Sequence, residues 1–205
     1  MSTTNIRKAS LAAGVAVAMT QATEAARNKG VKKLIAGIKD SSANARTEAW
    51  QSAGEVGAPA VKPLAQVMTD GDLEVARAAK RALWKIVRHT GRPGADDEKK
   101  AVETRLRGLL SDDQPVAIRR EVLWMLSEIA GMRSVKPMAR LLSNKDLRED
   151  ARMALERIPN KRAVQALRAG FKAAPEDFKP NLAQSLRKRG QKVAGYPCVK
   201  LVPSK

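Results

Sequence analysis

Apolar positions recur along this chain with the spacing of a helix face, and the whole pattern returns after roughly 30 residues. Equivalent starting points are separated by 30, 42, 32 and 29 residues: Val31, Val61, Glu103, Val135 and Val164. Three positions after each start stands a large apolar residue: Leu34, Leu64, Leu106, Met138 and Leu167. Four positions later stands a second one: Ile38, Met68, Leu110, Leu142 and Phe171. Residues at i and i+4 share a helix face, so the repetition predicts a solenoid of stacked helices.

A short sequence motif also recurs within the repeats. Gly57-Ala-Pro-Ala-Val-Lys-Pro-Leu64 returns as Gly131-Met-Arg-Ser-Val-Lys-Pro-Met138. Pro63 and Pro137 are expected in the first turn of their helices, where a missing N–H costs nothing. Turns rich in Asp and Ser follow at 39–42, 69–72, 111–113 and 143–146, and they predict N-caps for a second helix. That second helix places apolar residues at Val75, Ala79, Leu83 and Ile86, and again at Val122, Leu126 and Ile129.

This pattern resembles short HEAT repeats, of the kind also found in phycobilisome lyase-type proteins, over about residues 10–190. The resemblance implies a right-handed α-solenoid of about five helix pairs. We expect a flexible N-terminus at 1–9, then an array with units near 10–30, 31–60, 61–102, 103–134, 135–163 and 164–190. The third unit departs from the pattern because Glu103-Thr-Arg105 replaces Val-Lys-Pro.

Two irregular segments stand out against the array. The insertion from His89 to Lys100, rich in Gly, Pro and Asp, is expected to form one long loop. Residues 191–205 are expected to form an extended tail that caps the last helix pair, because Gly195, Pro197 and Pro203 oppose a helix there.

The N-terminal residues 1–22 have two interpretations. A basic pair followed by a short apolar run resembles a secretory signal, which would be cleaved on export. The alternative is a first solenoid helix in a cytoplasmic protein, which is favoured because Ala22-Thr-Glu-Ala-Ala26 aligns with Leu126-Ser-Glu-Ile-Ala130 of a later second helix. No stretch of 18 apolar residues exists, so the sequence predicts no spanning helix.

Composition leaves little material for catalysis or metal binding. Cys198 is the single cysteine and His89 the single histidine, so an internal disulfide and a cysteine-based metal cluster are excluded. We expect His89 to be a solvated residue at a helix end. The sequence therefore predicts no catalytic residue, no cofactor and no metal site.

The positive charge is concentrated towards the C-terminus. The net charge is +18; residues 1–130 hold 21 Lys/Arg against 15 Asp/Glu (+6), and residues 131–205 hold 18 against 6 (+12). Such a body attracts polyanions in a salt-dependent way. Arg46, Arg77 and Arg120 each follow an aspartate by six or seven residues: Asp40, Asp70 and Asp113. In HEAT-type arrays such residues form a ladder between units, so we expect these arginines to be structural.

In HEAT arrays the second helices line the inner curve, and by that analogy a basic strip is expected at or near the concave side. The candidate partner-binding residues are Lys32, Lys62, Arg105, Lys136, Arg140, Arg168 and Lys172. A generic solvated face is the alternative. We expect a monomeric, non-catalytic scaffold or adaptor that binds an acidic protein partner. A sequence-nonspecific binder of duplex DNA is the alternative, since stacking aromatics are few.

An enzymatic interpretation ranks third. HEAT-like alkylpurine DNA glycosylases combine a catalytic aspartate with Trp and Arg residues, and Trp124 with Glu128, near Arg105 and Arg140, resembles that set. No aspartate stands in the expected neighbourhood, and the repeat alone explains Glu128, which shares its column with Glu55. A bilin lyase is not favoured either, because Cys198 lies in the tail and nothing specifies a tetrapyrrole pocket.

Overall fold

In a computed structural model, the structure describes residue 21 and residues 24–197. The segment 1–20, which includes most of the signal-like sequence, and Cys198 lie outside the described residues. The chain divides into two compact units, and the boundary in the sequence falls between Ile86 and Val87. The two units are described separately below.

The described residues form ten α-helices and no strand, so the fold is all-α as predicted. The helices are α1 (24–38), α2 (Ala43–Val56), α3 (Val61–Val67), α4 (Leu73–His89), α5 (Asp96–Gly108), α6 (Val116–Ile129), α7 (Met132–Arg140), α8 (Arg148–Arg157), α9 (Lys161–Ala173) and α10 (Lys179–Lys188). Short 3-10 helices at Ala58–Ala60 and Leu141–Ser143 precede α3 and follow α7. Consecutive helices give five pairs in this part of the chain.

The first unit contains α1 to α3 and most of α4. Helices α1 and α2 approach closely, since a Cβ placed on Gly37 would lie 2.8 Å from Cβ of Ala49. Helix α1 runs without a break across residues 30 and 31, between which the repeat pattern places a unit boundary. The chain turns before Val61 at Gly57, where φ is 67°, whereas the equivalent position before Val31 is Arg27, which is not a glycine.

The second unit stacks its helices in two layers. Helix α7 contacts α5 and α9, and helix α8 contacts α6 and α10. Helices α5, α7 and α9 are therefore successive members of one layer, and α6, α8 and α10 of the other. Each helix also contacts its partner or the preceding helix in the opposite layer, for example α5 with α6 and α9 with α10. This arrangement is that of an α-solenoid, in which each pair contacts its neighbours.

The repeated apolar columns form the core as predicted. All five residues of the first column are buried: Leu34, Leu64, Leu106, Met138 and Leu167. In the second column Ile38, Leu110 and Leu142 are buried, and Met68 and Phe171 are half-buried. The predicted second-helix residues are buried too: Val75, Ala79, Leu83, Ile86, Val122, Leu126 and Ile129.

The predicted helix starts are correct in part. Ser42 caps α2 by accepting from the Ala45 N–H, and Asp72 accepts from the N–H groups of residues 74 and 75 at the start of α4. The other two turns supply no side-chain cap, because α6 follows Pro115 and α8 follows Leu147. The placement of Pro137 was wrong: α7 begins one turn earlier, so this proline lies inside the helix.

The predicted long loop at 89–100 is also wrong in extent. Helix α4 runs to His89, α5 begins at Asp96, and residues 90–95 connect them. Three acidic residues occupy the first turn of α5, namely Asp96, Asp97 and Glu98. Negative charge is favourable at a helix N-terminus, which explains why these polar residues are helical. His89 is half-buried at the end of α4.

Glu103, the residue that departs from the repeat, has a structural role. Its carboxylate is nearly buried and accepts from the Gly131 N–H (3.0 Å) and from the Ser134 hydroxyl (2.6 Å). Gly131 is the N-cap of α7, so Glu103 of α5 satisfies donors at the beginning of the next first helix. A valine at this position could not make that connection.

Residues 191–197 of the tail lie against the last helix pair. The Arg187 guanidinium of α10 donates to the carbonyls of Tyr196 (2.7 Å), Val193 (3.1 Å) and Gly195. The Tyr196 ring packs edge-on against Phe171 of α9, at 5.7 Å between centroids. Its hydroxyl donates to Glu176 (2.6 Å). These contacts hold the described part of the tail in place without a helix.

Candidate binding surface

Several charges of the α6–α8–α10 layer of the second unit are paired between successive helix pairs. Arg120 binds Asp150 (3.0 Å), and the indole N–H of Trp124 donates to the same carboxylate (3.0 Å). Arg148 binds Asp177 (2.6 Å). These partners are 26 to 30 residues apart, so the bonds repeat with the period of the sequence.

Glu156 forms several hydrogen bonds and ion pairs in this layer. Its carboxylate accepts from Arg152 (3.0 Å), from the Ser185 hydroxyl (2.7 Å) and from Lys188 (2.7 Å). Burial, the largest influence, raises the pKa of Glu156, but the bonds from Lys188 and Ser185 outweigh it and the net pKa is lowered. The pKa of Glu149 is lowered as well, first by its hydrogen bond from Arg152. These carboxylates are therefore ionised and already neutralised within the protein.

The α5–α7–α9 layer differs, because α7 and α9 carry cations and no acidic residue. We call their charged residues the basic face: Arg133, Lys136, Arg140, Lys161, Arg162, Arg168 and Lys172. All seven are exposed. Within residues 24–197, none of them forms an ion pair, and Arg168 donates to the neutral side chain of Gln191. Since α7 and α9 are in contact, the seven charges lie on adjacent helices of one layer.

Four of the seven predicted partner-binding residues lie on the contacting helices α7 and α9: Lys136, Arg140, Arg168 and Lys172. Arg105 is exposed on α5, in the same layer. Lys32 on α1 and Lys62 on α3 are exposed but belong to the first unit. Sequence reasoning left Arg133, Lys161 and Arg162 out of the site; the signal was the absence of acidic residues from 131–140 and 160–174.

All seven predicted residues lie on the first helices of their pairs. The HEAT analogy assigns the inner curve to second helices, so it gives no support to a concave position for these side chains. Their position on the concave side stays a prediction.

The predicted arginine ladder holds for one of its three members. Arg120 bonds to the next pair as expected, although its partner is Asp150 rather than Asp113. Arg46 instead donates to the carbonyls of Asp40 (2.7 Å) and Ser41 (2.8 Å) in its own turn. Arg77 pairs with Glu74 on the same helix (2.7 Å). Asp70 instead forms an ion pair with Lys39 (2.8 Å), and this contact connects the first helix pair with the second.

A cleft of about 650 Å³ opens between the α5–α6 turn and the end of α7. Three arginines line it, and their exposure increases from Arg119 (buried) through Arg107 (half-buried) to Arg140 (exposed). One carboxylate, Asp112, lines it too and binds the Arg119 guanidinium at 2.6 Å. Leu110, Pro137 and Leu141 supply apolar surface.

The residues of the enzymatic interpretation do not form the expected set. An aspartate does lie beside Trp124, contrary to the sequence argument, but Asp150 is engaged by both Trp124 and Arg120. Glu128 is exposed on α6. Trp50, Trp84 and Trp124 are half-buried, so none is a freely exposed stacking platform.

The described residues contain neither a metal-ligand cluster nor a membrane-spanning helix. No group of three or more His, Cys, Asp or Glu side chains is placed to hold a metal ion. None of the helices in this part of the chain has both the length and the apolar character needed to span a bilayer.

The stacked pairs of the second unit define the class: this is an α-helical repeat protein. No family model matches the chain, and no curated protein matches it. Among solved structures, it is similar to a designed armadillo repeat protein in complex with peptide (KR)4, at 19% identity and a TM-score of 0.44, covering 76% of this chain and 80% of that one. A computationally designed armadillo repeat protein for modular peptide recognition follows at 20% identity and 0.43, with 76% and 80% covered. The class rests on the helix contacts and not on these similarities.

Proposed function

We propose that this protein is a non-catalytic scaffold that binds an acidic protein partner through the basic face. The observation that carries the proposal is the unequal pairing of charge between the two layers. Acidic residues pair with six of the eight cations of α6, α8 and α10, whereas none of the cations of α7 and α9 has such a partner among the described residues. Unpaired surface cations on adjacent helices attract and orient an acidic surface.

Duplex DNA is the second candidate, and the same seven cations favour it. If all seven contact phosphates, the logarithm of the binding constant falls with log salt at a slope of about −6. The half-burial of the three tryptophans favours partners that are contacted without base stacking.

The test compares a fluorescent glutamate-rich peptide and a duplex of roughly 20 base pairs by anisotropy over a salt series. The reversal pair Lys136→Glu with Arg162→Glu removes two cations from the basic face. Arg81→Glu with Lys85→Glu is the matched control, because it makes the same charge change at exposed positions of α4.

We expect the acidic peptide to bind and the face variant to lose at least tenfold more affinity than the control. If DNA binds more tightly than the peptide, and the slope of log K against log salt is reduced by about 2 in the face variant, the partner is nucleic acid and not an acidic protein. Equal losses in both variants would mean that net charge, and not the basic face, governs binding.

A further inference from the structure

The Arg119 side chain is a buried cation with little compensation inside the protein. It is 5% exposed, and Asp112, whose own side chain is 93% exposed, is its hydrogen-bond partner within the described residues. The Nε–H of Arg119 is buried and has no acceptor there. A guanidinium has five N–H donors, and burying it without acceptors is unfavourable. An interior cation of this kind is stabilised by any anion that comes close to it.

Two further cations line the same cleft. Arg107 and Arg140 have no ion pair in the part of the chain that the structure describes. Three guanidinium groups therefore stand against one carboxylate, a formal excess of two positive charges. Guanidinium groups match carboxylates and phosphates through paired N–H···O bonds. The cleft has the electrostatic character of an oxyanion site.

The other residues that line the cleft restrict the kind of ligand that can carry the anion. The cleft of about 650 Å³ is far larger than one oxyanion, and Leu110, Pro137 and Leu141 give it apolar surface. Arg140 belongs both to this cleft and to the basic face, so a ligand on the face can extend into the cleft. A peptide segment with an anionic side chain next to an apolar one matches both the positive charge and the apolar surface of the cleft.

We propose that the cleft between the α5–α6 turn and α7 binds an oxyanion carried by a peptide segment of the acidic partner, with Arg107, Arg119 and Arg140 as its ligands. The inference rests on the proposed function and names the anchor point within it. The oxyanion is either the carboxylate of Asp or Glu or a phosphate on Ser. A phosphate carries nearly two charges at neutral pH and a carboxylate one, so phosphoserine is expected to bind more tightly.

Inorganic phosphate tests the cleft without any partner. The Arg119 Nε–H signal, assigned by its loss in Arg119→Lys, is followed by NMR in the full chain while phosphate is added. A saturable shift is expected, and the apparent dissociation constant should rise at least tenfold in Arg140→Gln and in Arg107→Gln. Arg133→Gln, on the same helix as Arg140 but outside the cleft, should change it less than twofold. No saturable shift, or an equal effect of Arg133→Gln, would overturn the site.

Three peptides of one sequence then test the source of the anion. They carry Ser, Glu or phosphoserine beside a leucine at the centre of an acidic segment, and binding is measured by anisotropy. We expect the Glu or phosphoserine peptide to bind at least tenfold more tightly than the Ser peptide, and Arg140→Gln to abolish that difference. Equal affinities for all three peptides would refute the assignment.

The failures of the two proposals are distinguishable. Peptide binding that depends on Lys136 and Arg162, but not on Arg107 or Arg140, would refute the cleft and leave the basic face. A chain that binds phosphate at Arg119 but none of the acidic peptides would refute the acidic partner and, with it, the peptide-borne anion.

Discussion

Replacing Glu103 tests whether successive helix pairs are held together by specific polar contacts. In Glu103→Ala, the Gly131 N–H and the Ser134 hydroxyl lose their acceptor at the start of α7. Hydrogen bonds to a charged group contribute about 1.5–3 kcal/mol each, and the negative charge at the helix N-terminus adds about 0.3–1 kcal/mol. Since the two bonds share one oxygen and water can enter, we expect a net loss of about 3 kcal/mol.

Urea denaturation followed by circular dichroism at 222 nm measures this loss from the shift in midpoint at constant m-value. Glu103→Gln keeps an acceptor but removes the charge, so a loss of about 1 kcal/mol is expected. Glu128→Ala is the matched control, because it removes the same charge from an exposed position and should change stability by less than about 0.5 kcal/mol. Ser134→Ala should cost less in the Glu103→Ala background than in the wild type. If Glu103→Ala costs no more than Glu128→Ala, the carboxylate does not connect the pairs.

Three further predictions follow from the fold. Gly57→Ala should destabilise the chain by about 1–3 kcal/mol, because φ 67° with ψ −145° is a backbone conformation that residues other than glycine rarely adopt. Gly131→Ala, at φ −94°, should be nearly neutral, and urea midpoints compare the two. Met138→Ala should cost about 2–5 kcal/mol in the same assay, since Met138 is fully buried. The lowered pKa of Glu156 means that the unfolded chain takes up its proton at higher pH, so the stability it contributes is present above the ordinary glutamate value of 4.5 and is lost as pH falls through the lower folded value. Glu156→Gln should therefore be less stable than the wild type at pH 7, and the difference should shrink in acid; a constant difference would contradict this.

The core and the helix pairs could be predicted from the sequence because they depend on local periodicity. Leu106 and Met138 are buried for the same reason that they recur: each occupies the inward position of a first helix. The charged contacts could not be predicted in the same way. Asp150 and Trp124 are 26 residues apart, and nothing in either local sequence specifies that they meet.

The pairing of charges at the candidate site could not be predicted from local sequence either. The excess of positive charge after residue 130 was visible in the sequence, but not which cations would be neutralised. Arg152 and Arg140 are both arginines on short helices, yet Arg152 is bound to Glu149 and Glu156 while Arg140 faces the cleft. The burial of Arg119 was also invisible, because the adjacent Arg120 is exposed and the pair reads as a solvated charge run.

The difference in charge pairing between α7 and α9 on one side and α6, α8 and α10 on the other has a consequence for how a partner approaches. The last helix pairs present positive potential on the α7–α9 side and nearly balanced charge on the other. An acidic molecule within a screening length of about 8 Å at physiological ionic strength experiences an orienting torque before contact. The charge distribution would thereby favour approach of the acidic partner from the α7–α9 side. Added salt would slow association before it weakened the complex once formed.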